Sequence, residues 1–128
     1  EVGTGCGYQT AVLASVSRRV FSIERIEALL FRAREHLHVL RINNVRTRHG
    51  DGYNGSAEHA PFDAVLVPAA PPELPTPLTE QLAVGGRLVI PVGSSGGQDL
   101  LLIERTQSGP EQRVLERVSF VPLLKGLD

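Results

Sequence analysis

An α/β fold is what this sequence predicts: a doubly wound, mainly parallel sheet closed by an antiparallel C-terminal hairpin. Three observations predict it. Apolar runs of strand length alternate with stretches of helical periodicity, which is how strands joined by crossover helices read. A glycine-rich turn, Gly3-Thr4-Gly5-Cys6-Gly7, stands directly before a helical stretch, as at a strand-to-helix corner of such a sheet. The polar signals at Gly3 to Gly7, Glu24 and Asp51 all fall at strand ends, where open α/β sheets bind ligands.

Before the glycine turn the strand is reduced to Glu1-Val2 at most, although a strand usually takes about five residues. The chain therefore reads as the C-terminal part of something longer. Gln9 to Ser17 carries Ala11, Val12, Leu13, Ala14 and Val16, a short and mostly buried helix. Arg19 to Glu24 reads as a strand, with β-branched and aromatic residues ending in an acid. Then Ile26, Leu29, Leu30, Ala33, Leu37 and Leu40 recur at three- and four-residue steps, with Arg25, Glu27, Arg32, Arg34 and Glu35 on the opposite face. This is the clearest amphipathic helix in the chain.

Asn43-Asn44 stops that helix, and Val45 to His49 forms a short strand running into Gly50-Asp51-Gly52. A polar loop, Tyr53 to Pro61, follows. Phe62 to Val67 is a continuous apolar run, expected of a parallel strand buried on both faces. Pro68 to Pro77 leads into a short helix over Thr76 to Leu82, with Pro77 tolerated in its first turn. Gly85-Gly86 turns the chain into the strand Arg87 to Val92. Leu100 to Arg105 and Arg113 to Val121, separated by Ser108-Gly109-Pro110, make the closing hairpin.

Composition narrows the function classes. A chain of 128 residues suits a single domain, taken as residues 1–128. With 13 Lys+Arg against 14 Asp+Glu there is no electrostatic footprint for a nucleic-acid partner. Hydrophobic residues at 41% are enough for a core. No apolar run approaches the roughly 20 residues of a membrane span. One cysteine leaves no internal disulfide framework, and four scattered histidines beside it argue against a metal site. A soluble, cytoplasmic, monomeric domain is expected.

The chemistry lies in three signals. Gly3-Thr4-Gly5-Cys6-Gly7 has the form G-x-G-x-G, whose glycines tolerate positive φ and let a ligand approach the backbone. A tight turn without a ligand would use the same residues. Cys6 reads as a small turn residue rather than a reactive thiol, since no cation stands near it in sequence. Glu24 lies 19 residues beyond Gly5, where an acid at the end of the second strand accepts both hydroxyls of a ribose. Alone it would be a solvated strand-end carboxylate; with the glycine turn it fits any adenosine cofactor with a free 2′-hydroxyl, NAD and S-adenosyl-L-methionine included. Asp51, between Gly50 and Gly52, either holds its own turn or accepts from an adenine amino group. His36 and His38 are two apart, face different directions on a helix and cannot share a metal. Neither a G-x-S-x-G nucleophile motif nor a Walker A lysine is present.

Taken together these residues are familiar. Glu1-Val2-Gly3-Thr4-Gly5-Cys6-Gly7-Tyr8-Gln9-Thr10 closely resembles the cofactor loop of protein-L-isoaspartate O-methyltransferases, where serine is usual at the position of Cys6. Further segments match in order: Ser22 to Arg25, Arg48 to Gly52, Pro61 to Ala64 with Ala69 to Pro72, Gly85 to Gly93, and the ending Phe120 to Gly126. The resemblance covers essentially the whole chain.

It implies a class I methyltransferase fold that uses S-adenosyl-L-methionine and releases S-adenosyl-L-homocysteine. The methyl group would go to the free α-carboxyl of isoaspartyl residues in damaged peptides and proteins, the first step of their repair. Carried over by residue, Gly3, Thr4, Gly5 and Gly7 would face the methionine and ribose part of the cofactor, and Glu1 its amino group. Glu24 would bind the ribose hydroxyls with Arg25 beside it, and Asp51-Gly52 would hold the adenine. Ala69, Ala70 and Pro71 would edge the methyl-transfer site, and Val121, Pro122 and Leu123 the peptide cleft. Pro68 departs from the threonine or glycine frequent among relatives and removes a backbone donor.

The acceptor carboxylate, with a pKa near 4, is ionised at pH 7 and needs no strong base. The family's N-terminal helices, most of its first strand and its active-site serine would lie before Glu1. No catalytic residue is therefore assigned here, and the 128 residues alone are expected to be marginally stable or inactive. Two other readings keep the fold: a non-catalytic S-adenosylmethionine-binding fragment, and a methyltransferase with another acceptor. An NAD dehydrogenase is disfavoured by G-x-G-x-G and by Gly50-Asp51-Gly52.

Overall fold

Gly7, at φ 89°, turns the chain into its first helix, α1 (Tyr8–Val16). The computed structural model describes all of residues 1–128 and divides into two units, Glu1–Gly52 with Lys125–Asp128, and Tyr53–Leu124.

In the first unit α1 is followed by β1 (Val20–Glu24), α2 (Glu27–Val39) and β2 (Val45–His49). β1 and β2 pair in parallel from Val20↔Val45 to Glu24↔His49. Along the other edge of β1, Val2 forms an isolated parallel bridge with Ile23. There the Gly3 N–H donates to Ile23 O at 2.8 Å and the Ile23 N–H to Glu1 O at 3.0 Å. Residues 1–3 thus pair with β1 through a single bridge rather than a strand. The core is Val2, Ala14, Val20, Ile23, Leu30, Ala33 and Leu37.

Helix α2 buries Leu30, Ala33 and Leu37 as its periodicity predicts, but Leu40 is exposed. The helix has ended: the Leu40 N–H caps His36 O and His38 O, and Arg41 follows at φ 57°. Asn44, read only as a helix stop, has a second role. Its Nδ2 donates to Ala14 O at 2.9 Å and to Ser17 O at 3.1 Å, satisfying carbonyls at the end of α1. The last residues return to this unit, with the Asp128 N–H on Arg25 O at 2.9 Å and the Glu27 N–H on Asp128 O at 3.2 Å.

The second unit holds β3 (Phe62–Leu66), α3 (Thr76–Glu80), β4 (Leu82–Ser94), β5 (Gly97–Thr106) and β6 (Gly109–Val118). Their order is β3-β4-β5-β6, with β3–β4 parallel and the other two pairs antiparallel. With β1–β2, this is the expected α/β class with an antiparallel C-terminal end. The core is Val65, Val67, Ala70, Leu78, Leu82, Leu88, Ile90, Leu101 and Ile103.

Two expectations need correction. Phe62 to Val67 is not buried on both faces: β3 is an edge strand of its sheet, and Asp63 and Ala64 are exposed. Gly85-Gly86 does not precede a strand but lies inside β4, in a bulge where the partner of β3 shifts from Leu82 to Arg87. The glycines are required there. Gly85 has φ 85°, and a Cβ on Gly86 would stand 2.7 Å from Phe62 O. No helix is long and apolar enough to cross a membrane.

Candidate functional site

The glycine turn owes its shape to backbone sterics. Gly3, Gly5 and Gly7 have φ values of 90°, 55° and 89°, a region that costs other L-residues about 1–2 kcal/mol each. The Gly7 N–H closes the loop on Thr4 O at 2.9 Å. A Cβ on Gly7 would meet the Ala33 Cβ at 3.3 Å, so this glycine also permits close packing against α2. At Gly3 and Gly5 a Cβ would meet nothing within 4 Å. The loop thus has a firm side toward α2 and an open side at its first two glycines.

Two carboxylates back the loop. Glu24, at the end of β1, is only 6% exposed. Its Oε1 accepts the Gly5 N–H at 2.8 Å, and its Oε2 accepts the Ile26 N–H at 3.0 Å. The acid that sequence places 19 residues after Gly5 is bonded directly to it. An ionised carboxylate has about four acceptor positions, so about two remain on Glu24.

Glu1 is held by three side chains. The Thr10 hydroxyl donates to Oε1, Ser22 Oγ donates to Oε1 at 2.6 Å, and Gln9 Nε2 donates to Oε2 at 3.0 Å. Since the Ser22 hydrogen goes to Glu1, Thr4 Oγ1 is the donor in its 2.6 Å bond with Ser22 Oγ. Thr4, Thr10 and Ser22 are all buried. By the same count about one acceptor position remains on Glu1, on the Oε2 side. Sequence reasoning named Glu1 and Thr4 but missed Gln9, Thr10 and Ser22. The available signal was spacing: Gln9 and Thr10 open α1 one turn beyond the glycines, and Ser22 interrupts an apolar strand.

The remaining acid is placed differently. Asp51 follows β2, and its Oδ2 accepts the Gly126 N–H at 2.9 Å. Gly52 beside it is buried and opens a 3-10 turn. The Arg25 Nε donates to Gly126 O at 3.2 Å, so the guanidinium points at the tail, while Arg25 O accepts from His49 Nε2 at 2.8 Å. Arg25 is thus bonded to His49, and Arg25 and Asp51 both hold Gly126.

In the unit Tyr53–Leu124, two segments far apart in sequence meet. Ala70 forms a parallel bridge with Pro122. The Ala70 N–H donates to Val121 O at 2.8 Å, and the Leu123 N–H to Ala70 O at 2.9 Å. Tyr53 Oη donates to Leu123 O at 3.1 Å. The Gly93 N–H donates to Pro71 O at 2.9 Å, fixing the residue after Ala70. Ala70 and Pro71 are buried, Ala69 is half-buried, and Val121 and Pro122 are exposed. Ala70 and Pro71 thus form a firm inner segment, and Val121 and Pro122 an outer one open to solvent.

The glycine loop with Glu1, Thr4 and Glu24 fits an adenosyl cofactor. It offers an open backbone side and two fixed carboxylates with acceptor positions to spare. Known proteins resemble the chain over nearly all of its length. The family model described as Protein-L-isoaspartate(D-aspartate) O-methyltransferase (PCMT) matches residues 1–128. The Protein-L-isoaspartate O-methyltransferase of Halorhodospira halophila is 57% identical over 126 residues, covering 98% of this chain and 57% of its own length.

Among solved structures, a protein-L-isoaspartate O-methyltransferase of Plasmodium falciparum in complex with S-adenosyl-L-homocysteine is 31% identical. It superimposes with a TM-score of 0.83 over 98% of this chain and 64% of its own. Another protein-L-isoaspartate O-methyltransferase structure is 28% identical, with a TM-score of 0.89 over 98% of this chain and 41% of its own. The chain spans less than two thirds of the length of each of these relatives.

Proposed function

Since the chain belongs to the protein-L-isoaspartate(D-aspartate) O-methyltransferase family, we propose that it carries out the cofactor and acceptor binding of that activity. The reaction moves a methyl group from S-adenosyl-L-methionine to the free α-carboxyl of L-isoaspartyl residues in peptides and proteins. The observation that carries the proposal is the Glu24 carboxylate bonded to the Gly5 N–H at 2.8 Å, which joins the strand-end acid and the glycine turn into one receptor.

When bound, S-adenosyl-L-methionine supplies an electrophilic methyl group on a sulfonium. The roles of the chain's own residues follow from their free valences. The two remaining acceptor positions of Glu24 match the two hydroxyls of a ribose. The remaining position on Glu1 matches one N–H of the methionine amino group, with Gln9, Thr10 and Ser22 keeping the carboxylate oriented and Thr4 holding Ser22. Gly3, Gly5 and Gly7 let the backbone approach the ligand. Asp51, fixed by Gly126, accepts from the adenine amino group beside Gly52, and Arg25 holds the tail that fixes Asp51. Ala69, Ala70, Pro71, Val121, Pro122 and Leu123 edge the acceptor peptide.

An acceptor carboxylate already ionised at neutral pH asks for alignment and exclusion of water rather than for a base. This is consistent with a site built of backbone and fixed carboxylates. The proposal treats residues 1–128 as one methyltransferase domain, monomeric and cytoplasmic, with isoaspartyl peptides and proteins as partners.

The test is incubation with labelled S-adenosyl-L-methionine and two peptides differing only in isoaspartate versus aspartate, read as base-labile methyl ester. Ester on the isoaspartyl peptide alone supports the proposal. Ester on both peptides points to another acceptor. Binding of S-adenosyl-L-homocysteine with no ester leaves a cofactor-binding module, and preferential binding of NAD overturns the methyltransferase reading.

A further inference from the structure

In the unit Tyr53–Leu124 one buried polar side chain lies outside the residues assigned so far. Gln98, in β5, is 6% exposed. Both ends of its amide serve the same residue. Nε2 donates to Phe120 O at 3.0 Å, and the Phe120 N–H donates to Oε1 at 2.7 Å. An amide so placed does for Phe120 what a neighbouring strand would do, satisfying its donor and its acceptor at once.

The position of this clamp is informative. Gln98↔Val118 is the last register pair between β5 and β6, and β6 ends at Val118. Two residues beyond the clamp, Pro122 bridges to Ala70 instead. Gln98 therefore takes over pairing where the ladder stops, and it sets where the chain begins its run past Ala70. Its cross-strand partner in β4 is Gly93, whose N–H holds Pro71 O at 2.9 Å. Gly93 has φ 140°, and a Cβ there would stand 2.2 Å from Gly97 O, so no side chain is admitted beside the clamp. One cross-strand pair thus ties down both halves of the edge, Pro71 through Gly93 and Phe120 through Gln98.

We propose that Gln98 is a positioning residue for the acceptor peptide, acting by holding Phe120 so that Val121–Leu123 lie in register on Ala70. The proposal rests on the reading of Ala69–Pro71 and Val121–Leu123 as the edge of the peptide site. Displacing a recognition segment by about 1 Å is enough to spoil alignment for methyl transfer.

Two variants of the 128-residue chain test it. Gln98→Met keeps the length of the side chain and removes both bonds. Gln98→Glu keeps an acceptor for the Phe120 N–H and sets a second acceptor against Phe120 O. Binding of a fluorescent isoaspartyl peptide and its aspartyl counterpart is measured with saturating S-adenosyl-L-homocysteine. Calorimetry of S-adenosyl-L-homocysteine and amide exchange of Ala70 and Leu123 are measured alongside.

Expected is roughly tenfold weaker isoaspartyl-peptide binding in both variants, the equivalent of one lost hydrogen bond. S-adenosyl-L-homocysteine affinity stays within about twofold of wild type. The Ala70 and Leu123 amides exchange faster while those of Leu88 and Ile90 stay protected. Unchanged peptide affinity in both variants overturns the proposal, and so does a parallel loss of both ligands, which marks Gln98 as a residue of general stability. A wild-type chain that does not distinguish the two peptides overturns the underlying reading itself.

Discussion

Glu24→Gln is the sharpest probe of how the glycine turn is held. The wild-type carboxylate accepts two backbone donors, Gly5 N–H at 2.8 Å and Ile26 N–H at 3.0 Å, one on each oxygen. Glutamine fills the same space but offers one carbonyl oxygen and one NH2 group. Whichever way the amide is turned, one backbone N–H loses its acceptor and faces another donor, while the other keeps only a neutral acceptor. A hydrogen bond to a charged partner is worth about 1.5–3 kcal/mol, and a buried donor left unsatisfied costs about 1–3 kcal/mol.

The residue is 6% exposed, so water cannot easily repair the loss. Destabilisation of about 2–3 kcal/mol is therefore expected, and at a urea slope of about 2 kcal/mol per molar the midpoint falls by more than about 1 M. Urea unfolding followed by circular dichroism measures this, with calorimetry of S-adenosyl-L-homocysteine on the same variant. Affinity for that ligand is expected to fall at least about tenfold, since the replacing NH2 group cannot accept from a hydroxyl. A midpoint within about 0.25 M of wild type would show that Glu24 does not hold the loop.

Other expectations follow from the same geometry. Gly5→Ala, at φ 55° with open space around the new Cβ, costs about 1–2 kcal/mol. Gly7→Ala costs about 2–4 kcal/mol, because its Cβ also presses on Ala33. Urea midpoints in the reverse order would contradict the packing account.

Much of the fold was legible because it is written in local periodicity. The three- and four-residue recurrence of Leu30, Ala33 and Leu37 specifies the buried face of α2, and Val45 to His49 is a strand at the bounds read from its composition. The Glu24 position was legible for a related reason. A glycine turn and an acid about 20 residues on are two points of one βαβ corner, whose geometry the intervening helix length nearly determines.

What local pattern could not carry are the contacts between segments far apart in the chain. That Phe62 to Leu66 lies at a sheet edge, with Asp63 exposed, depends on which strands pair, and an apolar run reads the same at an edge as at a centre. The capture of Asp51 and Arg25 by Gly126, the Asn44 cap on α1 and the Gln98 clamp on Phe120 join residues 20 or more positions apart. Each is a polar side chain that finds a backbone partner only once the strands and helices have docked. By itself the sequence determined the elements, the glycine turn and its acid; tertiary structure alone decided which backbone groups the polar side chains satisfy, because such hydrogen bonds are closed between segments and leave no period in the chain.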